Sequence, residues 1–211
     1  NWYLGETLHS GIGQGYFQST PMQLCLMTAQ LANGGYEIKP RLLTGSNKKS
    51  NKLKEYIKYK NENPNSILTL DLLVANFNLN PLFKNQENIN FIKDAMFAST
   101  NEPGGTSYRS RLTDKKFRYA GKTGSSQVKK FTTEQRKLEV KQKDLDYKDR
   151  DHALFIAFAP FDNPKYAISV IVEHGGSGSS AAAPIAKKVI KKVLERDDLR
   201  SSVTSQIGEE T

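Results

Sequence analysis

Phe117-Arg118-Tyr119-Ala120-Gly121-Lys122-Thr123-Gly124-Ser125-Ser126-Gln127-Val128 begins like a strand, with aromatic residues two apart followed by small ones. A glycine inside a strand packs nothing and marks close approach by a ligand or another backbone. Here Gly121 and Gly124 bracket a cation and a hydroxyl, Lys122 and Thr123. Strand alternation places Lys122, Gly124 and Ser126 on one face and Thr123, Ser125 and Gln127 on the other. Both faces can serve one ligand only from an edge strand bordering a cleft. Such an edge offers backbone N–H donors, hydroxyls and positive charge to an anionic group. Taken by itself, Lys-Thr-Gly also fits an ordinary exposed polar strand.

The flanking segments supply a sheet. Residues 129–150 are long and charged and read as a mobile inter-strand extension. Their two aromatics, Phe131 and Tyr147, are too few for a base-stacking arm, so nucleic acid is not an expected partner. Residues 153–159 form a continuous apolar run, fit for a strand buried on both faces. Asp162-Asn163-Pro164 turns the chain into a second apolar strand, Tyr166–Val172, antiparallel to the first. Gly175-Gly176-Ser177-Gly178-Ser179-Ser180 reads as a flexible loop. Residues 181–195 close as an amphipathic helix with Ile185, Val189, Ile190, Val193 and Leu194 inward, and the polar tail from Asp197 is expected to fray.

Before the central segment, Ser19-Thr20-Pro21 starts a helix, with Gln23 completing a capping box. Leu24, Met27, Thr28 and Leu31 follow at helical spacing, and Asn33-Gly34-Gly35 stops it. Cys25 beside this stripe reads as an inert thiol. Residues 36–43 read as a short strand broken by Pro40, and residues 44–66 as a solvated loop. Residues 67–77 fit strand or helix equally. Residues 85–99 carry a helical stripe at Ile89, Ile92, Ala95 and Met96, ended by the turn at 101–106. The fold class is α+β: an antiparallel sheet backed by helices.

Composition narrows the function. The 211 residues are 37% hydrophobic, enough for one core or part of a larger one. A net charge of +9 favours anionic partners. One cysteine excludes an internal disulfide. No apolar run approaches the roughly 18 residues of a membrane span. His9, His152 and His174 are scattered, without metal-site spacing, and no cofactor motif appears. Asn1-Trp2-Tyr3-Leu4 reads as the interior of a longer protein.

Several motifs in order resemble the penicillin-binding protein transpeptidase family. They are Gly11-Ile12-Gly13-Gln14-Gly15-Tyr16, Thr20-Pro21-Met22-Gln23-Leu24, Ala32-Asn33-Gly34-Gly35, Lys122-Thr123-Gly124, Asp151-His152, Ala157-Phe158-Ala159-Pro160 and Glu173-His174-Gly175-Gly176. The match is closest to the elongation (penicillin-binding protein 2) subgroup of class B. It covers most of residues 5–194 and weakens through 44–84 and 129–148. It implies the fold shared with serine β-lactamases, incomplete at the N-terminus: residues 1–196 as the C-terminal portion of the domain and 197–211 as a tail.

The resemblance also implies a chemistry. A serine in Ser-x-x-Lys attacks the penultimate D-Ala carbonyl of a peptidoglycan stem peptide. Terminal D-Ala leaves, and an amine of a second stem takes the acyl group; β-lactams stall as the acyl-enzyme. Lys122 supplies positive charge, Thr123 and Ser125 hold the substrate carboxylate alongside Gly124 and Ser126, and the Ser125 N–H is an oxyanion donor. The implied setting is the periplasmic face of the inner membrane, through an anchor not in this chain, with cell-elongation proteins as partners and no cofactor.

The nucleophile motif is missing from its place ahead of the glycine-rich segment. Ser46-Asn47-Lys48-Lys49 lies in a polar loop with no apolar helix to bury the lysine. Ser126-Gln127-Val128-Lys129 sits on a strand, where positions three apart face opposite ways. Ser99-Thr100-Asn101 mimics the family's second motif but in the wrong order. The chain alone is therefore expected to be inactive, and the faces of 153–159 and 166–172 are expected to expose apolar area. The alternatives are a related β-lactam sensor, a serine β-lactamase or carboxypeptidase, and least of all a basic nucleic-acid module.

Overall fold

The computed structural model describes residues 2–11, 13, 18–40, 55, 58–59, 62–63, 81–129 and 141–209, with side chains to residue 199. The expectations for residues 44–54, 64–80 and 130–140, and for most of the Gly11–Tyr16 motif, lie outside these. Helices α1 (Leu4–Gly11), α2 (Pro21–Ala32) and α3 (Gln86–Asn101) precede strand β1 (Ala120–Ser126). Strands β2 (His152–Ala159) and β3 (Tyr166–Val172) follow, then helix α4 (Ala183–Glu209). The strands form an antiparallel sheet in the order β1-β2-β3, with Lys122 opposite Ile156 and Phe155 opposite Val170. The α+β reading holds.

The apolar run of β2 is buried because helices cover both of its faces. Ala153, Phe155 and Ala157 pack with Tyr119 against Ala182, Ala183, Ala186, Ile190 and Leu194 of the α4 side. Phe158, with Ala120, meets Leu31, Ala32, Ile89 and Met96 of α2 and α3. Strand β2 is therefore not the bare surface expected of it, whereas β3 is only half-buried and its Tyr166 is exposed. Other exposed apolar side chains sit on the helices: Met22 and Met27 on α2, Phe91 and Ile92 on α3.

Helix α2 begins as its sequence dictates. Thr20 Oγ1 accepts from the Gln23 N–H at 3.2 Å and Gln23 Oε1 accepts from the Thr20 N–H at 2.8 Å. Its end needs the left-handed backbone of Gly34 and Gly35 (φ 96° and 87°). Between residues 36 and 40 there is only a bridge, Tyr36 to Pro81, and no strand, since Asn33 turns the chain by bonding both backbone groups of Tyr36.

Four further expectations are corrected. On α4, Ile190 and Leu194 are buried as expected, but Ala183 and Ala186 take the inward places near its start while Ile185 and Val189 are exposed; the small side chains let the helix lie close on the Tyr119 and Phe155 rings. Helix α4 runs past residue 197 to Glu209, tied down where Tyr166 Oη donates to Asp197 and Lys116 pairs with Asp198. The 175–180 stretch is a packed turn: a β-carbon on Gly178 would meet the Leu154 carbonyl oxygen at 2.3 Å. Residues 141–150 form two short 3-10 turns rather than a free arm, pinned where Gln142 bonds Asp151 and Lys129 pairs with Asp149.

Candidate functional site

Strand β1 is the outer strand on its side of the sheet among the described residues. In an antiparallel ladder each residue points its N–H and C=O to the same side. Asn101 Nδ2 donates to the Tyr119 carbonyl (2.9 Å) and Thr100 Oγ1 to the Gly121 carbonyl (3.3 Å), both from the end of α3. The odd-numbered residues of β1 therefore direct their backbone groups away from β2. By the same alternation the Thr123 and Ser125 N–H groups face the outer edge, beyond the point where α3 stops covering it.

The side chains divide as alternation requires. Lys122 is exposed on the α2–α3 face, at the mouth of a groove of about 540 Å³ whose lining includes Met27, Phe91, Ile92, Met96 and Ile156. Its amine donates to the Thr123 carbonyl at 2.8 Å. Thr123, half-buried, turns to the α4 side, and its hydroxyl lies 3.3 Å from that of Thr106. Ser125 and Ser126 are exposed at the end of the strand, where Ser126 stands opposite His152.

The two glycines differ in cause. A β-carbon on Gly121 would fall 2.4 Å from the Phe155 ring, so this glycine makes room for a core side chain and is not open to a ligand. A β-carbon on Gly124 would make only ordinary contact with Leu154 Cβ, at 3.4 Å. Nothing within the described chain demands glycine at 124, and its open face is the one that carries Lys122.

The substitute motifs fall elsewhere. Ser46–Lys49 lies outside the described residues. Lys129 pairs with Asp149, away from Ser126. Thr100 bonds the Gly121 carbonyl in β1 and Asn101 the Tyr119 carbonyl just before it, a structural task. Sequence reasoning missed Thr106, which reaches Thr123 only because the 102–107 turn folds back on α3: the Ser107 N–H bonds the Ser99 carbonyl at 3.0 Å. Cys25 is partly buried, with its thiol 3.5 Å from the Ala167 carbonyl, and burial pushes its pKa up.

Residues 1–191 match the penicillin binding protein transpeptidase domain. Peptidoglycan D,D-transpeptidase MrdA of Haemophilus influenzae is 35% identical over 201 residues, covering 92% of this chain and 27% of that protein. MrdA of Salmonella typhimurium is 33% identical over 194 residues, covering 92% and 28%. Among solved structures, Pseudomonas aeruginosa PBP2 in complex with WCK 5153 aligns with TM-score 0.59 and 32% identity, covering 90% of this chain and 32% of that one. The complex between PBP2 and MreC from Helicobacter pylori aligns with TM-score 0.62 and 26% identity, covering 92% and 28%. The chain spans less than a third of the length of these curated relatives. A sheet, helices and edge strand in this arrangement, with a family match over nine-tenths of its length, make the chain a member of the penicillin-binding protein transpeptidase domain family.

Proposed function

We propose that the full-length protein containing this chain is a peptidoglycan D,D-transpeptidase of cell-wall elongation, and a target of β-lactams. The observation that carries this reading is the open end of β1, where strand alternation turns the Ser125 N–H outward between the face that carries Lys122 and the face that carries Thr123. A serine outside this chain attacks the penultimate D-Ala carbonyl. Charge then develops on the carbonyl oxygen, and the Ser125 N–H donates to it; one such donor typically contributes about 3 kcal/mol. The Lys122 cation and the Thr123 and Ser125 hydroxyls hold the terminal carboxylate, with Ser126 at the strand's end. Gly124 leaves the strand flat, so the substrate can lie against it. Terminal D-Ala departs with a proton, and a second stem's amine takes the acyl group and re-forms the serine.

The same reading places the working protein at the periplasmic face of the inner membrane. Elongation-complex proteins of the kind seen with the Helicobacter pylori relative are its partners. Its test is covalent labelling by fluorescent penicillin. The full-length protein should label at one serine, and residues 1–211 alone should not. A full-length protein that never labels would defeat the reading. Rapid turnover of the label would favour a β-lactamase in its place.

A further inference from the structure

The Thr123 hydroxyl ends a short row. Its Oγ1 lies 3.3 Å from Thr106 Oγ1, which lies 3.1 Å from Ser99 Oγ. Each hydroxyl has one proton and can also accept, so the protons can be followed. Ser107 Oγ donates to the Ser99 carbonyl at 3.0 Å, and Thr100 Oγ1 to the carbonyls of Met96 and Gly121, each at 3.3 Å. With those two protons on backbone carbonyls, Ser107 Oγ, 3.4 Å from Ser99 Oγ, is left as an acceptor at the inner end of the row. Ser99, Thr106 and Thr123 have no carbonyl taking theirs among the described residues, so the row can run in two directions. In one, Thr123 donates inward to Thr106 and turns lone pairs toward the cleft, which repels an anion. In the other, Ser99 donates to Thr106, Thr106 donates to Thr123, and the Thr123 O–H points out.

We propose that Thr106 is a positioning residue for carboxylate recognition. An anion at the strand edge selects the outward direction, and Thr106, accepting from Ser99, both turns the Thr123 proton toward the carboxylate and polarises it. The surrounding turn fixes Thr106 in place. A β-carbon on Gly105 would come within 2.4 Å of the Ser99 carbonyl, so the turn lies pressed on the end of α3. This inference rests on the reading of Thr123 as a carboxylate ligand given above.

The experiment compares acylation of the full-length protein by a penicillin with its free carboxylate and by the methyl ester of the same penicillin. Thr106→Val should slow the free acid about ten-fold, the range of a hydrogen bond to a charged group, and leave the ester rate unchanged. Thr106→Ser should restore the wild-type ratio. Ser99→Ala, at the inner end of the row, should lower the same ratio by a smaller factor; it also serves if Thr106→Val does not fold. Equal slowing of acid and ester, or no slowing of either, overturns the proposal. If the wild-type protein is not acylated at all, the transpeptidase reading fails and this inference with it. A wild-type protein that acylates while the variants keep its acid-to-ester ratio overturns the inference alone.

Discussion

Gly178 lies on Gly124 so closely that a β-carbon at 178 would stand 2.6 Å from the Gly124 carbonyl oxygen, with the Leu154 carbonyl at 2.3 Å on the other side. Both neighbours are backbone and cannot swing aside. Gly178→Ala should therefore destabilise the fold by about 1–3 kcal/mol, the usual range for overpacking, read as a lower urea midpoint. An unchanged midpoint would contradict this packing.

The glycines flanking Lys122 and Thr123 should behave oppositely. Gly121→Ala meets the Phe155 ring and should cost about 1–3 kcal/mol of stability. Gly124→Ala has room, so its stability should stay within about 0.5 kcal/mol of wild type, while penicillin acylation of the full-length protein falls. Paired denaturation curves and labelling rates check both halves. Similar stability loss at the two sites would remove the case that Gly124 is bare for a ligand.

Lys122→Met separates folding from chemistry. The side chain is exposed and bonds the carbonyl of its own neighbour, so its loss should change stability by less than about 0.5 kcal/mol. Acylation of the full-length protein should fall by at least roughly 100-fold, the scale of losing one transition-state electrostatic contact. Retained acylation would show that the lysine is not part of the machinery.

Tyr119 is buried, and its hydroxyl donates to the Ser110 carbonyl at 2.7 Å. Burial holds its ionisation well above the ordinary tyrosine range. A folded pKa above the unfolded one gives stability that is complete below pH of about 10, falls above it while only the unfolded tyrosine ionises, and is lost as pH rises through the folded value. Tyr119→Phe leaves the carbonyl unpaired and should cost about 1–3 kcal/mol at neutral pH. It should also remove this tyrosine's share of the alkaline loss, which denaturation at pH 7 and 11 would reveal.

The Lys129 amine beside Asp149 holds that carboxyl below its usual pKa. The sign is the acid one: the pair's contribution is present above the ordinary aspartate range and disappears as pH falls through the lowered value. NMR titration should show Asp149 returning to the ordinary range in Lys129→Met. No movement would mean that the pairing does not persist in solution.

What the chain disclosed in advance was local. The capping box at Thr20 and Gln23 closes within one turn, and the apolar run of β2 needs burial whatever covers it. Identifying the covering residues needed the third dimension. Ile185 and Val189 look like core by size, but α4 approaches two aromatic rings and the alanines between them fit better. Gly175–Ser180 looks flexible by composition, yet its small residues are what let Gly178 close on Gly124. That Lys122, Thr123 and Ser125 share one strand was readable, because the segment around them alternates like one. Thr106 was not, because its partners lie 7 and 17 residues away along the chain.

Because α3 ends with Thr100 and Asn101 fastened to β1, the strand margin beyond Gly121 is only a few residues long. A chain adding itself there as a fourth strand would find only the stretch from Lys122 to Ser126 before it meets the helix. So short a margin offers little for another sheet to pair with, which is one way an open edge is kept from seeding sheet-to-sheet aggregation.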